Sequence, residues 1–300
     1  MAQSIFDNPI FTDDEAARAY LEQLRWPEGP VCPHCGVVGE STALQGAKHR
    51  VGVYKCNACR KQFTVTVGTV FEKSKVPLRK WMLATHLLCA SKKGMSAHQL
   101  HRMLGVTYKT AWFMAHRIRE AMSEDGSLHL GGKDEIVEVD ETYWGTDSRE
   151  EPERGMHSKN KIVSLVERGG DVRSFHVRRV NSATLKTVMH ENIGRGTRIM
   201  TDEAKCYAWV GAGKHFAGHY TTNHSEGEYS RGMVHSNTVE GFFSIVKRGL
   251  IGTYHHVGEQ HLHRYLDEFD FRYNSRDVSD AERTELALKA IHGKRLYYAN

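Results

Sequence analysis

Apolar residues in 10–25 fall at helical spacing, with Ile10, Ala16, Ala17, Tyr20, Leu21 and Leu24 on one stripe, so a short amphipathic helix is expected there. Tyr54-Lys-Cys56 and Gln62-Phe-Thr-Val-Thr-Val67 then alternate as short strands do. From Pro77 to about Met122 the pattern is helical again. Within it, Ser96-Ala-His-Gln99 has capping-box spacing and opens a helix carrying Ala97, Leu100, Met103 and Leu104. Gly105-Val-Thr107 makes a short turn. The next helix puts Ala111, Met114, Ala115, Ile118 and Met122 on one face and Lys109, Trp112, His116 and Arg119 on the other. An apolar back with a basic, aromatic front suits the recognition helix of a helix-turn-helix, although an ordinary helical hairpin with a solvated face has the same pattern. Residues 126–133, with Gly126, Ser127, Gly131 and Gly132, read as a linker.

Beyond the linker the period changes. Ile136-Val-Glu-Val-Asp140, Lys161-Ile-Val-Ser-Leu-Val166 and Val172 to Val180 read as strands. Thr184 to Asn192 is helical, Arg198-Ile-Met-Thr-Asp202 is a fourth strand, and helices follow at about Asn237–Gly249 and Gln260–Tyr273. Three strands, a helix, a strand and further helices predict an α/β layer fold with a mixed sheet. The expected organisation is an N-terminal helical segment (1–30), a small metal-binding module (31–72), a helical DNA-binding domain (73–125), an α/β domain (134–280) and a C-terminal tail (281–300).

Composition narrows the classes. With 300 residues, 40% of them hydrophobic and 26% charged, the chain can bury a core in about two domains. No apolar stretch approaches the ~20 residues of a membrane span. The acidic residues Asp13, Asp14 and Glu15 precede the first arginine, Arg18, so a cytoplasmic, nucleoid-associated protein without a secretory signal is expected. The net charge of +5 is modest, but its distribution is not even. Between Val51 and Arg119 there are 13 Lys and Arg against a single acid, Glu72, a balance suited to a polyanion such as double-stranded DNA.

Of six cysteines, four form two CxxC knuckles, Cys32-Pro-His-Cys35 and Cys56-Asn-Ala-Cys59, separated by 20 residues. Each knuckle sets two thiolates on one tight turn, and four thiolates complete a tetrahedral, structural Zn²⁺ shell. A segment this short folds only with its metal. Four thiolates leave His34 unnecessary as a ligand, and the solitary Cys89 and Cys206 are expected to pack.

Three carboxylates stand out. Asp140 ends an apolar strand, with Glu138 and Glu141 as competitors beside it; Asp202 ends another. Glu240 lies in the first turn of the helix beginning at Asn237, and Lys247, seven residues on, shares its face. Local readings compete: Glu240 could partner an Asn237 cap, and Asp202 could cap the turn through Glu203 and Ala204. Two strand-end aspartates and a later helical glutamate together form the ribonuclease H-like arrangement, which holds two Mg²⁺ ions for in-line phosphoryl transfer.

Taken in order, these blocks resemble insertion-sequence transposases of the DDE superfamily, in the branch with an N-terminal zinc ribbon and an ISXO-like catalytic domain. The resemblance rests on Cys32-Pro-His-Cys35-Gly36, Tyr54-Lys-Cys-Asn-Ala-Cys59, Phe63-Thr-Val-Thr-Val-Gly-Thr-Val-Phe71, Val139-Asp-Glu-Thr-Tyr-Trp-Gly145 and Thr201-Asp-Glu203. It continues through the segment from His235 to His256 and ends in Arg264-Tyr-Leu-Asp-Glu-Phe-Asp-Phe-Arg-Tyr-Asn274. It implies an α/β ribonuclease H-like catalytic domain behind a zinc ribbon and a helix-turn-helix, and a transposase that binds terminal inverted repeats, cuts them and joins them to target DNA. It also implies Asp140 and Asp202 as the first two acids, two Mg²⁺ (Mn²⁺ substituting), and a homo-oligomer on DNA. Members of this branch can carry asparagine or histidine at the third position, so Asn237 stands as the alternative. Glu240 is preferred because a carboxylate binds Mg²⁺ better and Lys247 follows two turns on. Lys247 and Arg248 are expected on phosphate beside the site, and Lys109, Trp112, His116 and Arg119 on the DNA ends. A non-catalytic regulator and a nuclease without strand transfer are the alternatives from other classes.

Overall fold

A computed structural model describes residues 7–124, 126, 128–145, 159–222 and 232–296. The chain divides into two compact units, residues 1–122 with 278–300, and residues 123–277. In chain order the elements are α1 (Pro9–Thr12), α2 (Asp14–Arg25), β1 (Ser41–Ala43), β2 (Tyr54–Cys56), β3 (Gln62–Phe63), α3 (Leu78–Ala90), α4 (Ala97–Leu104) and α5 (Tyr108–Met122). There follow β4 (Ile136–Trp144), β5 (Asn160–Glu167), β6 (Val172–Val177), α6 (Ser182–Asn192), β7 (Arg198–Thr201), β8 (Gly218–Thr221), α7 (Asn237–Gly249), α8 (Leu262–Asn274) and α9 (Asp280–Lys289).

In the first unit the helix expected over 10–25 is two helices. Asp13 is extended (φ −120°, ψ 131°), and its carboxylate accepts the Ala16 amide at 2.7 Å, so one residue ends α1 and caps α2. The three short strands form an antiparallel sheet in the order β1-β2-β3. Trp26, Tyr54 and Phe63 pack edge-on and stacked beside it, with ring centroids 5.5–5.8 Å apart. α3 carries the buried Trp81, Met82, Ala84, Leu88 and Cys89, so Cys89 packs as expected. The segment expected as a C-terminal tail contains α9. A Ser279/Glu282 capping box opens that helix, and Thr284, Ala287 and Leu288 are buried as it packs on α3. Across this contact His86 Nδ1 lies 3.0 Å from Thr284 Oγ1, and Arg283 donates to the Cys89 carbonyl at 3.3 Å.

The second unit is built on a five-stranded sheet in the order β6-β5-β4-β7-β8. β5 runs antiparallel to both neighbours, whereas β4, β7 and β8 are parallel. Helices cover both faces, as burying both faces of a mixed sheet requires. On one face Val137, Val139, Val163, Leu165 and Ile199 meet Leu185, Val188 and Met189 of α6. On the other, Ile162, Val166 and Val172 meet Val239, Phe242, Phe243 and Val246 of α7 and Leu262, Leu266 and Phe269 of α8. This sheet is consistent with a ribonuclease H-like transposase domain. Polar side chains fasten α8 to the edge strand: Asp270 accepts the Ser174 amide and hydroxyl at 2.7 and 2.8 Å, and Asn274 bonds both polar backbone atoms of Val172. Alternation along β4 sends Val137 and Val139 to the α6 side and Glu138 and Asp140 to the α7 side. That parity places the site.

Candidate active site and metal centre

The knuckles bring Cys32, Cys35, Cys56 and Cys59 together, with all four Sγ atoms within 4.8 Å of one another. Cys32 and Cys59 sulfurs are 3.6 Å apart, as are those of Cys35 and Cys56. A tetrahedron with Zn–S bonds of ~2.3 Å has edges of about 3.8 Å, so the donors present fit zinc. The Cys59 amide donates to Cys56 Sγ at 3.5 Å, which favours a thiolate. His34 Nε2 instead lies 3.3 Å from the Gln62 carbonyl. These four cysteines form a candidate zinc site of the zinc-ribbon kind.

α4 and α5 are joined through Gly105, whose left-handed backbone (φ 58°, ψ 46°) needs no Cβ, and the Ser96 hydroxyl caps α4 by accepting the Gln99 amide at 3.2 Å. The apolar back of α5 is buried as expected. Its front is not the surface the pattern suggested. Lys109 is exposed and Trp112 half-buried, but His116 (0% exposed) and Arg119 (2%) are buried. The reason is packing: α5 lies against α3, α4 and α9, so more than one side of it is covered. Arg117 is likewise internal, donating to the Glu72 carbonyl at 2.6 Å with its guanidinium over Trp81 and Phe113. The exposed cationic and aromatic side chains gather instead at the start of α5 and on α4: Tyr108 stacked on His98 (4.3 Å), Lys109 and Arg102.

The second unit brings the three predicted acids into one electrostatic neighbourhood. Asp140 lies on β4, Asp202 just past β7, and Glu240 in the first turn of α7. Burial pushes the Asp140 carboxyl up to about 7; the Glu141 amide, donating at 2.8 Å, opposes this, and the charges of Glu141, Asp202 and Glu240 add to it. Glu141 is also raised, chiefly by burial, while the Tyr207 hydroxyl donates to it at 2.6 Å. Sequence reasoning missed Tyr207, because it arrives on the turn after Asp202. Asp202 accepts the Ala204 amide at 3.1 Å, so it also caps that turn. Cys206 packs half-buried against the core. Among the described residues only the four cysteines place three or more ligand atoms within 4.8 Å, so the carboxylates stand farther apart than a closed shell. Hard carboxylate oxygens of this kind are the donors that suit Mg²⁺.

At α7 the cap differs from the expected one. Ser236, not Asn237, is the N-cap residue; it makes no side-chain cap bond, and its hydroxyl donates to Glu240 at 3.0 Å. Asn237 is exposed at the first helical position, and Glu240, Ser244, Lys247 and Arg248 are exposed further along. The missing cap comes from Glu138. This fully buried carboxylate accepts the Thr238 and Val239 amides at 2.8 and 3.0 Å, the Thr238 hydroxyl at 2.9 Å and Arg168 Nε at 2.6 Å. Breaking such a buried pair from one side costs about 3–5 kcal/mol.

The comparisons with known proteins agree with this architecture. Residues 130–274 match the ISXO2-like transposase domain, and residues 12–62 match the transposase zinc-ribbon domain. A protein of Halobacterium salinarum, described as an uncharacterized protein in transposable element ISH50, is 30% identical over 278 residues, which is 87% of this chain and 91% of that protein. A chain of a simian T-cell lymphotropic virus intasome in complex with a PP2A regulatory subunit matches at 16% identity over 64% of this chain and 63% of that one. Its TM-score is 0.28, a superposition too loose to define a shared fold. The chain belongs to the insertion-sequence transposase family with an N-terminal zinc ribbon and an ISXO2-like DDE domain. Among the described residues no helix is long and apolar enough to cross a membrane.

Two predictions follow from these centres. Cys32→Ser or Cys56→Ser should lower bound zinc, measured by atomic emission, from one per chain towards none, and chelation of the parent should unfold the ribbon. For Asp140 the sign is set by its raised folded value: a buried acid of this kind stabilises the fold only while protonated, and that contribution is lost as pH rises through about 7. Metal-free Asp140→Asn should therefore melt higher than the parent, with an advantage much larger at about pH 8 than at about pH 4.

Proposed function

We propose that this protein is a DDE transposase that binds the terminal inverted repeats of its element, cleaves the DNA ends and joins them to target DNA. The observation that carries the proposal is the convergence of Asp140, Asp202 and Glu240 from β4, the end of β7 and α7, close enough for the charges of the latter two to raise Asp140. Three such carboxylates would hold two Mg²⁺ ions, which lower the pKa of a bound nucleophile and stabilise a leaving oxygen. Asp140 sits on β4 and Asp202 directly after β7, where the sheet holds their backbones. Glu240, oriented by the Ser236 hydroxyl, completes the set from the helix. Lys247 and Arg248, exposed on α7, neutralise phosphates of the DNA, and the Arg248 guanidinium is braced by the Ser244 carbonyl at 3.1 Å.

End recognition falls to the first unit, with the zinc ribbon and the exposed start of α5. Recognition helices read bases with their N-terminal residues, so Tyr108 and Lys109, with Arg102 of α4, replace His116 and Arg119 as contacts. Pairing two ends requires at least two copies of the chain on DNA.

The decisive assay uses DNA carrying the element's ends, with Mg²⁺, scored for nicking and for joining of a pre-cut end. Asp140→Ala and Asp202→Ala should each abolish both activities and leave DNA binding intact. Glu240→Gln should lower the rate by a hundredfold or more, on the order of a lost transition-state contact, with little change in stability. If Asn237→Ala abolishes activity in a folded protein while Glu240→Gln stays active, the third residue is Asn237. Cleavage without joining would make the protein a nuclease, and binding without cleavage a regulator.

In the recognition unit, Lys109→Ala should weaken end binding and reduce the salt slope by about one, with an unchanged melting temperature. Arg119→Ala should do the reverse, lowering stability because a buried side chain is lost. A Lys109→Ala variant that binds ends normally, by fluorescence anisotropy, would remove α5 from the interface.

A further inference from the structure

Glu138 takes no part in the proposed chemistry, yet its position is unusual. It lies on β4 two residues before Asp140 and on the same side of the strand, and it is 0% exposed. A helix leaves its first amides without partners, and a side chain of the N-cap residue ordinarily satisfies one of them. At α7 that residue, Ser236, makes no cap bond, and its hydroxyl is committed to Glu240. The amides of Thr238 and Val239 instead donate across to Glu138 Oε2, at 2.8 and 3.0 Å, and the Thr238 hydroxyl donates to Oε1 at 2.9 Å.

We infer that Glu138 is a positioning residue, which caps α7 from the sheet and so fixes Glu240 relative to Asp140. The linkage is short. Asp140 is one pleat along β4 from Glu138, and Glu240 is two residues along α7 from the capped Thr238. A second tie prevents this joint from sliding. Arg168, immediately after β5, donates Nε to Glu138 at 2.6 Å, Nη1 to the Met233 carbonyl at 2.6 Å and Nη2 to the His235 carbonyl at 2.8 Å. The segment leading into α7 is thereby fastened to the same carboxylate that caps the helix. The negative charge also meets the positive end of the α7 dipole. An apolar residue at 138 would pack between sheet and helix but leave the two amides and Arg168 Nε without these acceptors. The inference rests on the reading of Asp140 and Glu240 as divalent-ion ligands.

The test is a calorimetric Mg²⁺ titration of the full chain, with melting curves run in parallel and metal-free DNA affinity as a control. The parent should bind Mg²⁺, and Asp140→Asn should abolish that binding. Glu138→Gln keeps the volume but offers one acceptor oxygen where two serve now. It should melt cooperatively, bind DNA as the parent does, and bind Mg²⁺ about tenfold or more weakly, the usual cost of losing a group that orients metal ligands. Parent-like Mg²⁺ affinity in Glu138→Gln overturns the positioning role and leaves the Asp140 assignment standing. Mg²⁺ binding that is absent from the parent, or untouched by Asp140→Asn, overturns both. The double variant Glu138→Gln/Arg168→Met separates positioning from charge balance, because it removes the guanidinium's unbalanced charge without restoring the cap. Its affinity should stay low, and full recovery would contradict the inference. If Glu138→Gln fails to fold, Thr238→Val decides: loss of that one hydroxyl should weaken Mg²⁺ about fivefold, and no change would overturn the proposal.

Discussion

Like charges repel, and a protein that holds Asp140, Glu141, Asp202 and Glu240 in one neighbourhood must hold them against that repulsion. Burial is the chief reason that the Asp140 carboxyl stands at about 7, and this repulsion adds to it. Much of the second unit can be understood as the framework that tolerates this. β4 is the central strand, paired on both sides, with apolar layers packed on both faces of the sheet. Strand parity gives one face of β4 to valines and the other to Glu138 and Asp140. The helix that brings Glu240 is not free to retreat, because its apolar side is sunk in the core and its N-terminus is bonded to Glu138. A dication would relieve the repulsion, which is why the unit is expected to be less at ease without metal than with it.

The first unit depends on a different constraint. Its ribbon has three strands of two or three residues and a small aromatic cluster, too little buried surface to hold the knuckles together unaided. A zinc ion held by the four converging cysteines would supply the missing cross-link. The helices behind it gain their stability in the ordinary way, from the buried side chains of α3 and from α9, which returns from the far end of the sequence to pack there.

What could be read from the sequence follows from locality. The knuckles and the alternation of the longer strands are local patterns and appear where they were expected, but Asp140, expected to end its strand, lies in the middle of β4, which runs on to Trp144, and Asp202 falls just past β7. The lost features are tertiary. Arg119 and His116 look like a solvated front because charge and aromaticity mark a surface in isolation, but neighbouring helices cover that side of α5. The Asn237 cap failed for a related reason: Glu138, about a hundred residues upstream, supplies the acceptor that the local sequence lacks. α9 escaped notice because its apolar positions are few and Thr284 is among its buried residues. Asp13 was not legible as a break, since the apolar stripe runs through it unchanged.

The proposed divalent-ion site at Asp140, Asp202 and Glu240 is open to a structural test. Its most direct test is anomalous diffraction from crystals of the protein soaked in Mn²⁺. Anomalous density is expected between the three carboxylates, separate from any zinc signal at the cysteines and lost in Asp140→Asn crystals. Anomalous density confined to the cysteine site, with Mn²⁺ at saturating concentration, would contradict it.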